Sequence, residues 1–262
     1  MNEAPLTPIL DAAPTFRDLG GVATMDGRRV RRGQLFRAGI LVHPSPAASA
    51  AVRSLGLRWV MDLRSDHERN HSPGTWADYG ATRTLNSDVS TDVRAGNAAL
   101  MHLLESDFSV AGAQRMMVAT YEHLPQGFRQ QLPRLFDLLL DETGLPLMVH
   151  CTAGKDRTGF ACALVLHALG AAEESIFEEY LKSGDLLVGT PVSASMGRLL
   201  EKSLGRPPEP EALAVIMGVR REFLETALTA VRIEYGSVDN YLEQVGGLTT
   251  ERRARLRQRL LE

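Results

Sequence analysis

Cysteine is scarce in this sequence, long hydrophobic runs are absent, and the charges nearly cancel. The 262 residues include only two cysteines, Cys151 and Cys162, which argues against a secreted disulfide scaffold and favours a reduced compartment with one functional thiol. No run approaches the roughly 20 apolar residues of a membrane span. The first twenty residues show no basic segment followed by an apolar one, so no secretory signal is visible. We therefore expect a cytoplasmic protein without stable membrane insertion, and export by a signal-less route is left open.

The net charge is only −3, from 29 lysines and arginines against 32 aspartates and glutamates. Such a chain has no overall attraction for nucleic acid, so any attraction for an anionic substrate must come from a local patch. Asp26-Gly27 is a hairpin signal, and we interpret the arginines around it as a solvated basic hairpin. These arginines are Arg28, Arg29, Arg31, Arg32 and Arg37.

Strand-like and helix-like segments alternate through the first 150 residues, which predicts an α/β fold with a mostly parallel central sheet flanked by helices. Strands are predicted at residues 57–64, 81–85 and 145–149. Ser45 as N-cap, Pro46 at the first helical position and Gly56 just past the end predict a helix between them.

The domain organisation is expected to be simple, because 262 residues with ordinary composition form one domain or one with an appendage. We expect a single domain over residues 1–262 with a loosely ordered lead-in at 1–14. After about residue 160 the chain is predicted to be almost wholly helical. Residues 183–215 of this extended helical half could form a lid or a helical insertion, which would turn at the proline-rich segment 204–211.

A loop rich in reactive and small residues, "VHCTAGKDRTGF" (149–160), joins an apolar strand to an apolar helix. Such a strand–loop–helix junction points backbone N–H groups at the loop and forms an anion cradle. Five residues separate Cys151 from Arg157, enough for the backbone to curl around one tetrahedral oxyanion. Gly154 supplies the dihedral freedom for this curl. Arg157 can close the ring with two parallel hydrogen bonds, which lysine cannot copy.

The same positive surroundings favour the ionised sulfur of Cys151, which is the nucleophilic form. A thiolate under a bound phosphate is positioned for in-line attack and a phosphocysteine intermediate. Thr158 could donate its hydroxyl to that sulfur, and His150 is expected to hydrogen-bond nearby backbone and hold the loop's shape. Cys162 lies within the apolar helix and is predicted to be a small core residue.

The loop "HCTAGKDRTG" resembles the signature loop of the cysteine-dependent protein tyrosine phosphatases. Its Gly-Lys-Asp-Arg-Thr-Gly form resembles a bacterial branch with dual activity on phosphotyrosine and phosphoinositides. Four further segments match that branch: "FRDLGG" (16–21), "DGRRVRRGQLFRAG" (26–39), "DLR" (62–64) and "YGSVDNYL" (235–242). The resemblance implies a tyrosine-phosphatase-like fold and phosphate monoester hydrolysis, with no cofactor and no metal. Phosphotyrosine is the main expected substrate, with phosphoserine, phosphothreonine and phosphoinositides as further candidates.

The resemblance also assigns roles within the loop. Cys151 is the nucleophile, Arg157 clamps the phosphate, and Lys155 adds positive charge suited to substrates with several phosphates. Asp156 has two compatible roles, as N-cap of the following helix or as a group that places water or shares proton transfer. The substrate-binding set is Thr152, Ala153, Gly154, Lys155, Asp156, Arg157 and Thr158.

Hydrolysis also needs a general acid for the leaving oxygen. In the family this acid is an aspartate beyond a neighbouring strand, so Asp88 is the first candidate and Asp92 the second. Asp62, at a strand end, is expected to pair with Arg64 or Arg17 instead. The sequence departs from the branch where an aromatic residue usually follows the cysteine and this chain has Thr152. It also has Thr15 where asparagine usually precedes "FRD", a change expected to be minor.

Three alternatives stay open. A phosphoinositide phosphatase would use the same loop with lipid as its main substrate. A sulfurtransferase also uses a loop thiolate, but it needs neither an arginine at the sixth position nor a threonine after it. A non-catalytic phosphate-binding module usually loses the nucleophile or the clamp, and this chain keeps both. The expected partner is a phosphotyrosine protein or a phosphoinositide, and a monomer is assumed.

Overall fold

A five-stranded sheet forms the centre of the computed structural model, which describes residues 7–90, 98–187 and 189–262. The strands are β1 (Arg17–Asp18), β2 (Leu35–Ala38), β3 (Trp59–Asp62), β4 (Arg83–Asn86) and β5 (Leu147–His150). Their order across the sheet is β1-β2-β5-β3-β4. The pairs β2–β5, β5–β3 and β3–β4 are parallel, and β1 pairs antiparallel at one edge. The predicted fold class, an α/β fold with a mostly parallel sheet, is therefore confirmed.

Helices flank this sheet and make up most of the second half of the chain. In chain order they are α1 (Thr7–Ala12), α2 (Pro46–Ser54), α3 (Asp66–His71), α4 (Ala98–Ser106), α5 (Val110–Gly127), α6 (Leu132–Leu140), α7 (Asp156–Leu169), α8 (Glu173–Leu181), α9 (Pro191–Leu204), α10 (Pro210–Met217), α11 (Arg221–Tyr235), α12 (Val238–Gln244) and α13 (Thr250–Leu260). A 3₁₀ turn, Asp185–Leu187, lies between α8 and α9. No helix in the described ranges is both long enough and apolar enough to cross a membrane.

The ends of these elements follow local chemistry. At α2 the Ser45 side chain accepts a hydrogen bond from the Ala48 N–H, with Pro46 at the first helical position, as predicted. Helix α7 stops at Gly170, whose φ of 88° is the left-handed conformation that closes helices. The break between α9 and α10 coincides with the predicted proline-rich turn.

Strand β5 lies at the centre of the sheet and is buried on both faces. Leu147 and Val149 belong to the larger core cluster, with α5, α7 and α11, whereas Met148 belongs to a smaller cluster with α1 and α2. This alternation is the period of two expected of a strand. Because β2, β3 and β5 are parallel and in register, Ala38 and Asp62 both flank His150, and the three following loops meet at one sheet edge.

The expectation of a loosely ordered lead-in at 1–14 differs from the structure over its described part. Residues Thr7–Ala12 form α1, which packs against α2. Ile9 and Ala13 are buried in the smaller core cluster, so this segment covers one face of the sheet. Apolar burial overrides the local signal of the prolines, because a six-residue helix is stabilised by tertiary packing rather than by propensity.

Candidate active site

The loop of residues 151–157, here named the cradle loop, connects β5 directly to α7. The Cys151 side chain is buried, and its Sγ accepts a hydrogen bond from the Gly154 N–H at 3.2 Å. Gly154 has φ 73°, the left-handed conformation that the sequence predicted a glycine would supply. A Cβ there would also lie 2.3 Å from the Gly39 backbone nitrogen, so the tight packing requires glycine as well.

Arg157 lies fully buried on the first turn of α7 and is held by Glu68 of α3. Its Nη1 donates to Glu68 Oε2 and its Nη2 to Oε1, each at 2.7 Å, which is a bidentate pair. Burial opposes ionisation of Glu68, but Arg157 outweighs it and holds the pKa of that carboxyl well below its usual range. The same carboxylate accepts the Thr152 hydroxyl at 2.5 Å. One acidic side chain therefore fixes both the arginine and the loop.

Glu68 was not among the predicted site residues. It occupies the third helical position in a capping box: the Glu68 N–H donates to the Ser65 hydroxyl, and the Ser65 N–H donates to the Glu68 carboxylate. The pattern Ser-x-x-Glu was readable in "SDHE" and predicts the start of a helix. It carries no signal that the same carboxylate reaches Arg157, which is 89 residues further along the chain.

Lys155 and Asp156 form a buried ion pair, with Nζ 2.6 Å from Oδ1. Tyr121 of α5 donates to the same Asp156 oxygen at 2.7 Å, and its hydroxyl also contacts that of Tyr180 on α8 at 2.7 Å. Asp156 is the first residue of α7, and Lys155 occupies the N-cap position. The N-cap interpretation of Asp156 is therefore wrong. Asp156 lies inside the helix, and its carboxylate is bound by the side chains of Lys155 and Tyr121.

His150 shapes the cradle loop from the end of β5. Its Nδ1 donates to the Cys151 carbonyl at 3.1 Å, as expected of a residue that holds the loop, and its Nε2 lies 3.7 Å from Asp62 Oδ2. Burial lowers the pKa of His150, which favours the neutral imidazole. Asp62 forms an ion pair with Arg64, one of the two partners expected, at 2.7 Å.

Residues 9–262 match the tyrosine phosphatase family. The chain belongs to the tyrosine phosphatase family. A protein of Cupriavidus necator named as a tyrosine-protein phosphatase is 33% identical over 235 residues, which are 88% of this chain and 81% of that protein. The triple specificity protein phosphatase PtpB of Mycobacterium tuberculosis is 31% identical over 264 residues, covering 90% of this chain and 93% of PtpB. A tyrosine-protein phosphatase of Nostoc commune is 25% identical over 203 residues, or 75% and 64% of the two chains.

The predicted family and enzyme class are thus confirmed. These matches do not separate one branch of the family from another, so the narrower branch inferred from "GKDRTG" stays a prediction. Among the described residues, no group of three or more histidine, cysteine, aspartate or glutamate side chains is arranged to hold a metal ion.

Arg37 corrects the interpretation of the N-terminal arginines as one solvated hairpin. Its side chain is fully buried, because it lies on β2 at the carboxyl edge of the sheet rather than on the hairpin. Arg37 and Arg17 both pair with Glu179 of α8, at 2.7 and 2.5 Å. Arg17 therefore does not pair with Asp62, and the two arginines join β1, β2 and α8 beneath the cradle loop.

The proposed general acids follow β4. Asp88 is exposed, and its carboxylate accepts a hydrogen bond from Ser90. Its neighbour Val89 is buried, with its carbonyl 3.5 Å from Arg157 Nη1, so this segment reaches the cradle loop. Asp92 lies outside the described residues.

The remaining predicted residues lie within α7 and in the core. The Thr158 hydroxyl is buried and has no hydrogen-bond partner among the described residues, as suits a group that would serve the sulfur or a bound anion. Cys162 is buried in the core as predicted, and burial raises the pKa of its thiol to about 12. The two thiols of the chain therefore differ: Cys162 is inert within the core, whereas Cys151 lies in the cradle loop.

Proposed function

We propose that this chain hydrolyses phosphate monoesters through a cysteinyl-phosphate, with phosphotyrosine as its main substrate. The observation that supports this most is the cradle loop itself. Cys151 Sγ accepts a backbone N–H from the loop that leads into α7, and Arg157 on the first turn of α7 is held by a bidentate carboxylate. These are the parts needed to bind a tetrahedral dianion and attack its phosphorus.

The reaction would run in two displacements. Cys151 Sγ attacks phosphorus as the bond to the alcohol oxygen breaks, and an acid protonates that oxygen. Water then attacks the phosphocysteine, phosphate leaves, and the thiolate is regenerated. In both steps the loop N–H groups and Arg157 stabilise the charge that develops on the equatorial oxygens, and the unpartnered Thr158 hydroxyl is suited to the departing sulfur.

Two aspartates are candidates for the proton transfers. We propose Asp88 as the general acid, because it follows β4 at the edge where the cradle loop lies. Asp156 would place the water or share the proton, since its carboxylate is fixed at the start of α7 by Lys155 and Tyr121. Loss of the acid should slow phenyl phosphate far more than p-nitrophenyl phosphate, whose leaving group needs no proton. If Asp88→Asn slows both equally, Asp88 is not the acid.

The substrate class within this function is a separate question. PtpB is named for triple specificity, and its similarity supports phosphoserine, phosphothreonine or phosphoinositides as further substrates beside phosphotyrosine. A phosphoinositide as main substrate is the alternative that the "GKDRTG" sequence favours. Rates measured side by side on phosphotyrosine peptides, phosphoserine peptides and phosphoinositide vesicles separate these cases.

We also propose that residues 183–215 act as a lid. Cys151 is only 1% exposed, as a covered site requires. The predicted turn between α9 and α10 offers a place for such movement. Hydrogen exchange of α9 should slow when orthovanadate is bound, and unchanged exchange there would exclude the lid.

The proposed function is tested on p-nitrophenyl phosphate with protein that has been treated with a metal chelator and then desalted, because chelators also bind vanadate. We expect turnover that orthovanadate inhibits, that Cys151→Ser abolishes, and that Cys162→Ala, which alters the other thiol, largely retains. Phosphate release that survives Cys151→Ser would contradict the mechanism. Thiosulfate turnover above aryl phosphate turnover would favour the sulfurtransferase, and tight binding without phosphate release would favour a binding module.

A further inference from the structure

Four consecutive carbonyl groups of the cradle loop accept hydrogen bonds from groups outside residues 151–157. The Cys151 carbonyl accepts from His150 Nδ1 at 3.1 Å, and the Thr152 carbonyl accepts from the Ile40 N–H at 3.0 Å. The Ala153 carbonyl accepts from Thr15 Oγ1 at 3.0 Å, and the Gly154 carbonyl accepts from Arg37 Nη2 at 2.8 Å. The back of the loop is therefore bound at every peptide from 151 to 154.

These bonds dictate where the opposite side of each peptide points. In a planar trans peptide the C=O of one residue and the N–H of the next point in opposite directions, and the peptides of the loop are trans. Holding the carbonyls outward thus turns the N–H groups of residues 152–155 inward. The Gly154 N–H shows this directly, because it donates to Cys151 Sγ while the carbonyl of the same peptide accepts from Thr15.

The two side-chain donors at Ala153 and Gly154 are themselves fixed. Thr15 is 1% exposed, and its own carbonyl accepts from Arg17 Nη1 at 3.0 Å. Arg37 is fully buried, and its other terminal nitrogen donates to Glu179 at 2.7 Å. A Cβ on Gly154 would lie 2.4 Å from Thr15 Oγ1, so the hydroxyl is pressed directly against the loop. Neither donor has freedom to follow the loop if the peptide planes rotate.

We propose that Thr15 and Arg37 are positioning residues: Thr15 holds the Ala153–Gly154 peptide so that its N–H donates to Cys151 Sγ, and Arg37 holds the Gly154–Lys155 peptide so that its N–H faces the bound oxyanion. This inference rests on the proposed function, because it assigns these residues a role in preparing the loop for the substrate phosphate. Both residues donate to carbonyls on the side of the loop opposite these N–H groups. Pre-set N–H groups stabilise an anion without the cost of reorienting at the moment of reaction.

The role predicts a particular pattern of loss. Thr15→Val keeps the shape of the side chain but removes the O–H, so the Ala153–Gly154 peptide can rotate. We expect orthovanadate to bind about tenfold more weakly, in line with one hydrogen bond to an anion, and kcat for p-nitrophenyl phosphate to fall similarly. Thr15→Ser, which keeps the hydroxyl, should restore most of the affinity.

A matched control separates this role from general stability. Thr82 also donates its hydroxyl to backbone carbonyls, those of Leu57 and Tyr79, at the opposite end of the sheet. Thr82→Val should lower the melting temperature without changing vanadate affinity. If Thr15→Val fails to fold, Arg37→Lys tests the same idea, because lysine keeps the charge beside Glu179 but cannot donate in Arg37's two fixed directions.

The outcomes are distinct. Unchanged vanadate affinity and kcat in folded Thr15→Val, or in Arg37→Lys where the first variant does not fold, would overturn the positioning role while wild-type turnover leaves the proposed function intact. Losses of equal size in Thr15→Val and Thr82→Val would also overturn it, since they would reflect stability alone. Failure of the wild-type protein to bind vanadate or release phosphate would instead remove the proposed function.

Discussion

Glu68 fixes the geometry of Arg157 through a bidentate ion pair. Glu68→Gln keeps the shape but removes the negative charge, which breaks the buried ion pair between this carboxylate and the Arg157 guanidinium. We expect the free energy of unfolding to fall by about 3 kcal/mol. We also expect kcat/KM for p-nitrophenyl phosphate to fall on the order of 100-fold, because the clamp shifts out of position.

Glu178 provides the control for that prediction. It is an exposed glutamate on α8, so Glu178→Gln tests the loss of a negative charge away from the cradle loop. Urea unfolding and steady-state kinetics on both variants are the measurements. Wild-type kinetics in Glu68→Gln would mean that Arg157 keeps its position without the carboxylate.

Gly154 is constrained both by its left-handed backbone conformation and by close packing, and a comparison with Gly33 separates the two effects. Gly154 and Gly33 have similar φ values, 73° and 71°, but a Cβ on Gly33 would meet nothing within 4 Å. We expect Gly33→Ala to cost only the backbone strain, about 1–2 kcal/mol, with normal kinetics. Gly154→Ala adds a clash with the Gly39 backbone, so kcat should fall on the order of 100-fold. Equal kinetics in the two variants would show that close packing at Gly154 is unimportant.

At the scale of elements, α7 presents its amino end to the cradle loop and depends on α13 at its carboxyl end. Arg253 donates from Nε to the Ala168 carbonyl at 2.9 Å and from Nη2 to the His167 carbonyl at 3.0 Å. Arg257 donates to the Leu169 carbonyl. Arginines placed on the last carbonyls satisfy orphan acceptors and complement the helix dipole.

Removing one of these caps should weaken the fold without touching the chemistry. Arg253→Met should lower the free energy of unfolding by about 1 kcal/mol. The 14-residue helix places this end roughly 20 Å from the cradle loop, so kcat/KM should be unchanged. Arg58→Met at an exposed arginine is the control in urea unfolding. A kinetic defect in Arg253→Met would show that α7 transmits strain along its length.

At the scale of the whole molecule, His150 makes stability depend on pH. Burial lowers the pKa of His150 in the folded state below its ordinary 6.5, so the unfolded chain takes up a proton at a pH where the folded chain does not. Its contribution is present above about pH 6.5 and is lost as the pH falls. Below that point, His150 by itself should lower the free energy of unfolding by up to about 1.4 kcal/mol for each unit by which the pH falls.

His150→Gln should reduce the slope of stability against pH between 7.5 and about 5.5. Glu68 and Glu179 titrate lower, because their arginine partners outweigh burial and lower their pKa values. His167, whose pKa burial also lowers, contributes equally to both proteins. His123→Gln at an exposed histidine serves as the control. An unchanged slope in His150→Gln would exclude this linkage.

Local patterns in the chain determined the strand, the cradle loop and α7, because apolar periodicity, the Cys-x5-Arg spacing and the closing Gly170 act over neighbouring residues. The same information indicated the family. Tertiary structure alone decided which side chains surround the loop. Glu68 meets Arg157 across 89 residues, Thr15 meets Ala153 across 138, and Arg37 meets Glu179 across 142. Such contacts depend on the order β1-β2-β5-β3-β4, which brings distant segments to one sheet edge and leaves no periodic trace in the sequence.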